Sequence, residues 1–191
     1  MRIRHPKLLF GALPLLLLGL AFAVKEARSS LVWNNFGVVE HGRIYRSGKL
    51  HAPHLLAAIE THGIRTVVHL AHHADDAADR EEEALVTGKG LRYVKRRWAG
   101  NGVVAPDRLR WVADLLSDPA NHPVLIHCVS GKYRSGVAVA SYRILEQDWP
   151  IERVRAEMER FGYERGESRE LEQRIEELAR SPQRAPNPTR P

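Results

Sequence analysis

One stretch decides the fold of this chain, residues 124–136, and it reads Val124-Leu125-Ile126-His127-Cys128-Val129-Ser130-Gly131-Lys132-Tyr133-Arg134-Ser135-Gly136. Its first three residues are apolar and predict a short buried strand. The residues from Arg134 onward continue into Val137-Ala138-Val139-Ala140 and predict a helix. The stretch therefore predicts a loop that joins the end of a strand to the start of a helix, with a cysteine at its beginning and an arginine at its end.

This loop, residues 128–134, has the properties of a phosphate site. Successive backbone N–H groups between a strand and a helix can turn inward and form a concave anion site at the positive end of the helix dipole. Gly131 permits a backbone conformation that other residues resist, and the Arg134 guanidinium can bind two oxygens at once. The same field favours the thiolate form of Cys128, which is the nucleophilic form. The spacing predicts phosphate binding followed by attack of sulfur.

Each position of the loop then has an expected role. Cys128 is the candidate nucleophile, and Ser135 can hydrogen-bond the sulfur and help it leave in a second step. Lys132 adds a second cation, which suits a multiply phosphorylated substrate. The phosphate is expected to be bound by the Arg134 side chain and by the backbone N–H groups of the loop, which belong to Val129, Ser130, Gly131, Lys132, Tyr133 and Arg134.

The same residues carry a family resemblance. His127-Cys128, five residues and Arg134-Ser135-Gly136 resemble the signature of cysteine-dependent protein tyrosine and dual-specificity phosphatases. Residues 121–136 are similar to the atypical dual-specificity branch of plants and fungi, several members of which act on inositol pyrophosphates. Residues 42–48 resemble the start of small bacterial dual-specificity-like phosphatases.

The resemblance, which covers about residues 33–165, implies an enzyme with a phosphocysteine intermediate. Its implied substrates are phosphate monoesters, on phosphotyrosine- or phosphoserine-type proteins or on inositol phosphates. Inositol pyrophosphates and phosphoinositides are the alternatives. The resemblance also implies that His127 orients the cysteine and that Arg46 supports the site.

The remainder of the body predicts an α/β fold. Strand-like and helix-like segments alternate, which favours a central, mostly parallel sheet flanked by helices, as in the protein tyrosine phosphatases that the motif resembles. Ligands of such sheets bind beyond the carboxyl ends of the strands, where Cys128 falls. The predicted strands lie near residues 38–39, 43–45, 66–70, 91–94 and 124–126, and the predicted helices near 53–59, 79–89, 106–116, 134–140, 151–161 and 167–180.

The proton donor is the part of the expected active site that departs most from the families that the chain resembles. In the families that the chain resembles, an aspartate on a loop before the cysteine protonates the leaving oxygen, but residues 97–107 have no acid in their middle. Asp107 is the first candidate, although an acid in the first turn of a helix also satisfies free N–H groups. Asp75 and Asp76 are the others. A pyrophosphate leaving group is already acidic and needs less help, which favours an inositol pyrophosphate or polyphosphate substrate.

The ends of the chain differ from its body. The net charge of +6 is concentrated there, so the body is near neutral, has no basic stripe and predicts no nucleic-acid partner. Residues 1–30, with an uncharged run over 8–24, predict a signal peptide cleaved after Ala23 or a single transmembrane anchor. Residues 31–180 are the expected catalytic domain and 181–191 a disordered tail. The charge bias places the catalytic domain outside the cytoplasm, in the cell envelope.

Other chemistries are less favoured. The single cysteine excludes an internal disulfide and a cysteine-built zinc cluster. A histidine-rich segment with Asp75 and Asp76 suggests a metal site, but neighbouring histidines rarely share one ion, so no metal and no cofactor are expected; its histidines are His69, His72 and His73. A sulfur-transfer or arsenate-reducing enzyme, and a tethered phosphate-binding module with little turnover, are the remaining alternatives.

Overall fold

The computed structural model describes residues 33–72 and 77–181. Its centre is a five-stranded sheet in the order β1-β2-β5-β3-β4. The β1–β2 pair is antiparallel, whereas β5 runs parallel to both β2 and β3, and β3 runs parallel to β4. The strands are β1 Gly37–Glu40, β2 Ile44–Ser47, β3 Thr66–Ala71, β4 Arg92–Arg97 and β5 Val124–His127. The predicted α/β class with a mostly parallel sheet is confirmed.

Helices connect most of the strands and continue after β5. A short 3₁₀ helix, Pro119–Asn121, leads into β5. Prolines within the first two positions begin two of the α-helices, where a missing N–H costs nothing, and Gly63 ends the first of them in the left-handed conformation. The α-helices are α1 Ala52–His62, α2 Ala77–Gly88, α3 Pro106–Ser117, α4 Arg134–Gln147, α5 Ile151–Arg160 and α6 Arg169–Arg180.

The core is built around β5 and α4. All four residues of β5 are buried, because the strand has a parallel neighbour on each side and helices over its faces. Eleven consecutive residues of α4 are buried as well, from Arg134 to Ile144. The loop between these two buried elements is therefore fixed at both ends, and it places Cys128 at the carboxyl edge of the sheet.

Some sequence predictions fall outside the described residues. These are the signal or anchor segment 1–30, His73, Asp75 and Asp76, and the tail from residue 182 onward. Within residues 33–72 and 77–181, no helix has the length and apolar character that crossing a bilayer requires.

Candidate active site

Cys128 begins a loop whose backbone surrounds its sulfur. The residue is 1% exposed, and the backbone N–H of Gly131 donates a hydrogen bond to Sγ over 3.2 Å. A donor aimed at the sulfur stabilises its negative form more than its neutral form. The loop therefore aims a backbone donor at the sulfur that the sequence assigns as the nucleophile.

Donors outside the loop orient its peptide planes. Three successive carbonyls accept hydrogen bonds from the first residues of the described chain and from the end of β2. Because peptide units are planar and trans, the N–H groups of residues 130–132 point to the opposite side, into the loop. The bonds run to Val129 O from Lys49 N (3.0 Å) and Asn34 Nδ2 (3.1 Å), to Ser130 O from Asn35 Nδ2 (3.3 Å), and to Gly131 O from an Arg46 terminal nitrogen (2.5 Å).

Gly131 is required here for two reasons. Its φ of +73° lies in the left-handed region. A Cβ at this position would lie 2.6 Å from Gly48 N and 2.9 Å from Ser47 C, which are backbone atoms that cannot rotate away. The loop therefore packs directly on the end of β2.

Arg134 and Ser135 are placed by the start of α4. Arg134 is 6% exposed, and one terminal guanidinium nitrogen donates to Leu70 O at the end of β3 over 2.5 Å. Its Nε has no hydrogen-bond partner within the described part of the chain. Ser135 is fully buried, and its Oγ donates to Ser47 O over 3.3 Å. The structure thus brings both residues to the loop that holds Cys128.

Lys132 and Tyr133 turn toward the segment between α5 and α6. The Lys132 side chain lies along Gly162, where an added Cβ would meet its Cε at 3.0 Å. The Tyr133 hydroxyl donates to Glu167, a hydrogen bond that raises the pKa of Tyr133 to about 12. These two side chains lie outside the loop, and the backbone N–H of Lys132 donates to Ser130 Oγ over 3.3 Å.

Arg46 is a second buried cation behind the loop. It is fully buried, stacks over Phe161 at 4.0 Å, and leaves Nε and one terminal nitrogen without a partner in the regions described. Burial lowers the pKa of Arg46 to about 10, against the opposing charges of Glu157 and Cys128. From the sequence only the family resemblance pointed to Arg46, since nothing in an isolated strand reveals a contact with Gly131.

A histidine pair lies beneath the cysteine. His69 of β3 and His127 of β5 share a register position, and their rings stack with centroids 4.5 Å apart at 16°. His127 Nε2 lies 2.8 Å from Glu82 Oε1. Burial lowers the pKa of His69 to about 4, helped by the charge on His127, so His69 is neutral at pH 7.

This trio is the one group among the described residues with the composition of a metal site. One ligand atom from each of the three side chains lies within 4.8 Å of the others. His69, the one member that the histidine-rich segment supplies, stacks on His127, the residue before Cys128. The expectation that no metal is bound stays a prediction. Sequence reasoning missed Glu82, because its role depends on how α2 packs over the sheet.

The two buried acids near the site are both charged. Asp79 accepts from Lys49 Nζ at 2.7 Å and pairs with Lys95 Nζ at 3.0 Å. Burial alone would raise the pKa of Asp79, but the two lysines outweigh it and bring the pKa to about 2. Burial would also raise the pKa of Glu82, and the charge of His127 reverses this to a lowered pKa. Neither acid carries a proton that it could donate at neutral pH.

The loop after β4 packs against the cysteine loop without bringing a carboxylate. Gly102, at φ +81°, is so close to the Tyr133 backbone that a Cβ would meet it at 3.2 Å. Asn101 Oδ1 accepts from Val103 N and closes a turn (3.1 Å). Asp107 is exposed in the first turn of α3, and no hydrogen bond or ion pair among the described residues joins it to the cysteine loop.

Two clefts share His72 in their lining, and the first also includes Val129 of the cysteine loop. The first has a volume of about 500 Å³ and is lined by Asn34, Lys49, Leu50, His51, His69, His72, Ala78, Asp79 and Val129. The second has about 440 Å³ and is lined by His72, Arg97, Trp98, Ala99 and Arg108. Basic and histidine side chains outnumber acids around both clefts, so the surface at the mouth of the loop suits an anionic ligand.

Comparison with known proteins agrees with this geometry. A family model described as the tyrosine phosphatase family matches residues 30–187. The inositol diphosphatase DSP1 of Oryza sativa subsp. japonica is 33% identical over 131 residues, which are 66% of this chain and 56% of that protein. The inositol diphosphatase DSP4 of Arabidopsis thaliana is 30% identical over 145 residues, 75% of this chain and 71% of that protein. The chain thus spans little more than half of the first relative.

Solved structures show the same fold. The core catalytic domain of the PP-IP phosphatase SIW14 from S. cerevisiae, in complex with citrate, has a TM-score of 0.64 at 25% identity. That match covers 74% of this chain and 83% of the yeast domain. P. aeruginosa TpbA has a TM-score of 0.59 at 24% identity, with 76% of this chain and 88% of TpbA covered, and supports the fold alone.

Proposed function

The chain belongs to the tyrosine phosphatase family of cysteine-dependent phosphatases, as its sequence motif predicts, and from this premise we propose that it hydrolyses phosphate monoesters through a phosphocysteine intermediate. The observation that carries the proposal is the cysteine loop itself. It combines a buried Cys128, a backbone N–H that donates to Sγ, peptide N–H groups directed into the loop, and Arg134 in the first turn of α4. Each of these features stabilises negative charge at one point.

In the proposed reaction, the Cys128 thiolate attacks phosphorus and the bond to the leaving oxygen breaks. Backbone N–H groups of residues 129–134 and the Arg134 guanidinium hold the three equatorial oxygens, whose charge grows in the transition state. Water then attacks the phosphocysteine, and the sulfur leaves as a thiolate. Ser135 is the proposed donor of a hydrogen bond to the departing sulfur, and Arg46 holds the Gly131 carbonyl outside the loop.

An inositol pyrophosphate is the second candidate substrate. Two of the relatives are named inositol diphosphatases, and the loop after β4 carries no acid in its middle. A phosphoanhydride releases an acidic phosphate and needs little protonation, whereas an alkyl or phenyl ester needs a proton donor. Asp107 is the proton donor proposed from the sequence, and it lies exposed in the first turn of α3. Other candidate proton donors are compared with it.

The test is phosphate release by the full chain under reducing conditions, over a panel of substrates. The panel holds 4-nitrophenyl phosphate, a phosphotyrosyl peptide, a phosphoseryl peptide, a phosphoinositide and an inositol pyrophosphate. We expect turnover of the aryl and peptide esters, with a covalent phosphate on Cys128 detected by mass spectrometry after acid quenching. A ranking led by the inositol pyrophosphate would select the second candidate. Binding of phosphate without turnover of any member would indicate a phosphate-binding module.

We also propose that residues 1–30 export or anchor residues 31–180, with 181–191 as a disordered tail. Arg2, Arg4 and Lys7 precede the uncharged run 8–24, which supports a catalytic domain outside the cytoplasm. The expected result is that the full chain stays with membranes after a carbonate wash and is digested by protease added to spheroplasts. Recovery in the cytosolic fraction, protected from protease, would contradict this placement.

A further inference from the structure

The proposed monoester chemistry needs a proton donor, and the described site leaves few groups that could supply it. The loop after β4 has no acid in its middle, and Asp79 and Glu82 are held as anions by their basic neighbours. His69 is neutral and stacked below the sheet edge. The remaining described side chains that line the clefts and are of the type most often used as a general acid or base are the histidines His51 and His72.

His72 occupies the position where a donor is needed. It follows β3 directly, two residues after Leu70, whose carbonyl accepts from Arg134 at 2.5 Å. It is exposed and belongs to both clefts, one of which reaches Val129 of the cysteine loop. The end of β3 is therefore tied to the phosphate-binding guanidinium, and His72 extends from that end into the space beside it.

The imidazole of His72 also contacts the loop that lacks an acid. A Cβ added to Gly100 would lie 3.4 Å from His72 Cε1 and 3.5 Å from Nδ1, so the ring packs against this glycine. The next residues, Asn101 and Gly102, lead to the backbone contact with Tyr133. His72, the loop after β4 and the end of the cysteine loop are thus linked by successive contacts. His51 instead directly precedes α1.

We propose that His72 is the proton donor to the leaving oxygen and the base that later activates water. The proposal rests on the phosphatase function proposed above and deepens it. As the Cys128 sulfur bonds to phosphorus, the P–O bond breaks, its electron pair stays on the leaving oxygen, and that oxygen takes the ring proton of imidazolium. Neutral His72 then removes a proton from water as the water oxygen attacks phosphorus. The S–P bond breaks, the thiolate returns and His72 is again protonated.

The charges that face His72 come from several elements. Asp79 is the one acid among the described lining residues of the two clefts, and two lysines neutralise it. The titratable and charged groups around the two clefts are Lys49, His51, His69, Asp79, Arg97 and Arg108. The variants His72→Gln, His41→Gln and Asn101→Asp leave these groups in place, so that a change in the pH profile reports on the substituted residue.

The test is the substitution His72→Gln in the full chain, with two aryl esters that differ in their need for a proton. Phenyl phosphate releases a weakly acidic phenol, whereas 4-nitrophenolate leaves as an anion. We expect kcat/KM, which reports formation of the phosphocysteine alone, to fall about 10²-fold on phenyl phosphate and to change less than about threefold on 4-nitrophenyl phosphate. Hydrolysis of the phosphocysteine is common to both esters, so loss of the base should lower kcat on both. The decline of kcat/KM for phenyl phosphate on the alkaline side should disappear in the variant. His41→Gln, at an exposed turn before β2, is the matched control and should leave both rates unchanged.

A rescue variant separates a chemical role from a structural one. Asn101→Asp adds a carboxylate to the loop that packs on His72 and on the cysteine loop. In the His72→Gln background, this change should recover at least about tenfold of the lost phenyl phosphate turnover, because a general acid is supplied again. If His72→Gln had only disturbed packing, an added carboxylate would not restore turnover of phenyl phosphate, the ester that needs a proton donor.

Three results would overturn the assignment. One is an equal loss of kcat/KM on both esters in His72→Gln. Another is no loss on phenyl phosphate. The third is a selective loss on phenyl phosphate that occurs in another variant and not in His72→Gln. The variants to compare are Asp107→Asn, His51→Gln and the double variant Asp75→Asn with Asp76→Asn. Failure of the phosphatase function looks different: the unmodified chain would then fail to turn over 4-nitrophenyl phosphate at all.

Discussion

Replacing Cys128 with serine will abolish phosphate release while leaving phosphate bound. Serine has nearly the shape of cysteine and fits the same buried position, so the loop and its inward N–H groups should persist. A serine hydroxyl beside a site built for a thiolate remains protonated, and no described base faces it. We expect kcat on 4-nitrophenyl phosphate to fall by at least about 10⁴-fold, which is the scale of removing a covalent nucleophile. Initial rates under reducing conditions measure this change.

Binding distinguishes loss of the nucleophile from loss of the site. The Kd for inorganic phosphate, measured by calorimetry on Cys128→Ser, should stay within about threefold of the unmodified value, since charge-assisted hydrogen bonds supply the affinity. Arg134→Met is the counterpart, because it removes the guanidinium that is tied to Leu70 and should weaken phosphate binding as well as turnover. Turnover by Cys128→Ser near the unmodified rate would show that sulfur is not the nucleophile.

The cysteine loop could be predicted from the sequence because its requirements are local. A strand, a glycine at positive φ, and an arginine at the first turn of a helix lie within residues 124–136, and the structure places them as that stretch indicates. The parallel sheet was also predictable, since β-branched runs alternate with helices closed by Gly63 and Gly90. Local chain chemistry sets these features without reference to distant residues.

The supports of the loop could not be predicted in this way, because they depend on register and packing between distant segments. His69 stacks on His127 only because β3 and β5 pair with those residues opposite each other. Glu82 reaches His127 across the packing of α2 on the sheet. Asn34 and Asn35 bind carbonyls about 95 residues away in sequence. The sequence therefore does not distinguish His69 from His72, whereas the fold buries the first and leaves the second exposed at the cleft.

Gly131→Ala will both destabilise the protein and disable the loop. The residue sits at φ +73°, which costs an alanine about 1 kcal/mol or more. Its Cβ would also lie 2.6 Å from Gly48 N and 2.9 Å from Ser47 C, and overpacking against a buried backbone adds about 1–3 kcal/mol. We expect the free energy of unfolding in urea to fall by about 3 kcal/mol. Since relief of the clash must push the loop away from β2, kcat/KM should fall by at least about 10²-fold.

Gly42→Ala is the matched control for this prediction. Gly42 has nearly the same φ, +74°, but lies in an exposed turn where an added Cβ would meet nothing within 4 Å. Its substitution carries the backbone strain without the clash, so it should cost about 1 kcal/mol and leave kcat/KM unchanged. The difference between the two variants isolates the contact between the loop and β2. Equal losses of stability and activity in both would mean that backbone strain alone, and not the close approach to Ser47 and Gly48, requires glycine at position 131.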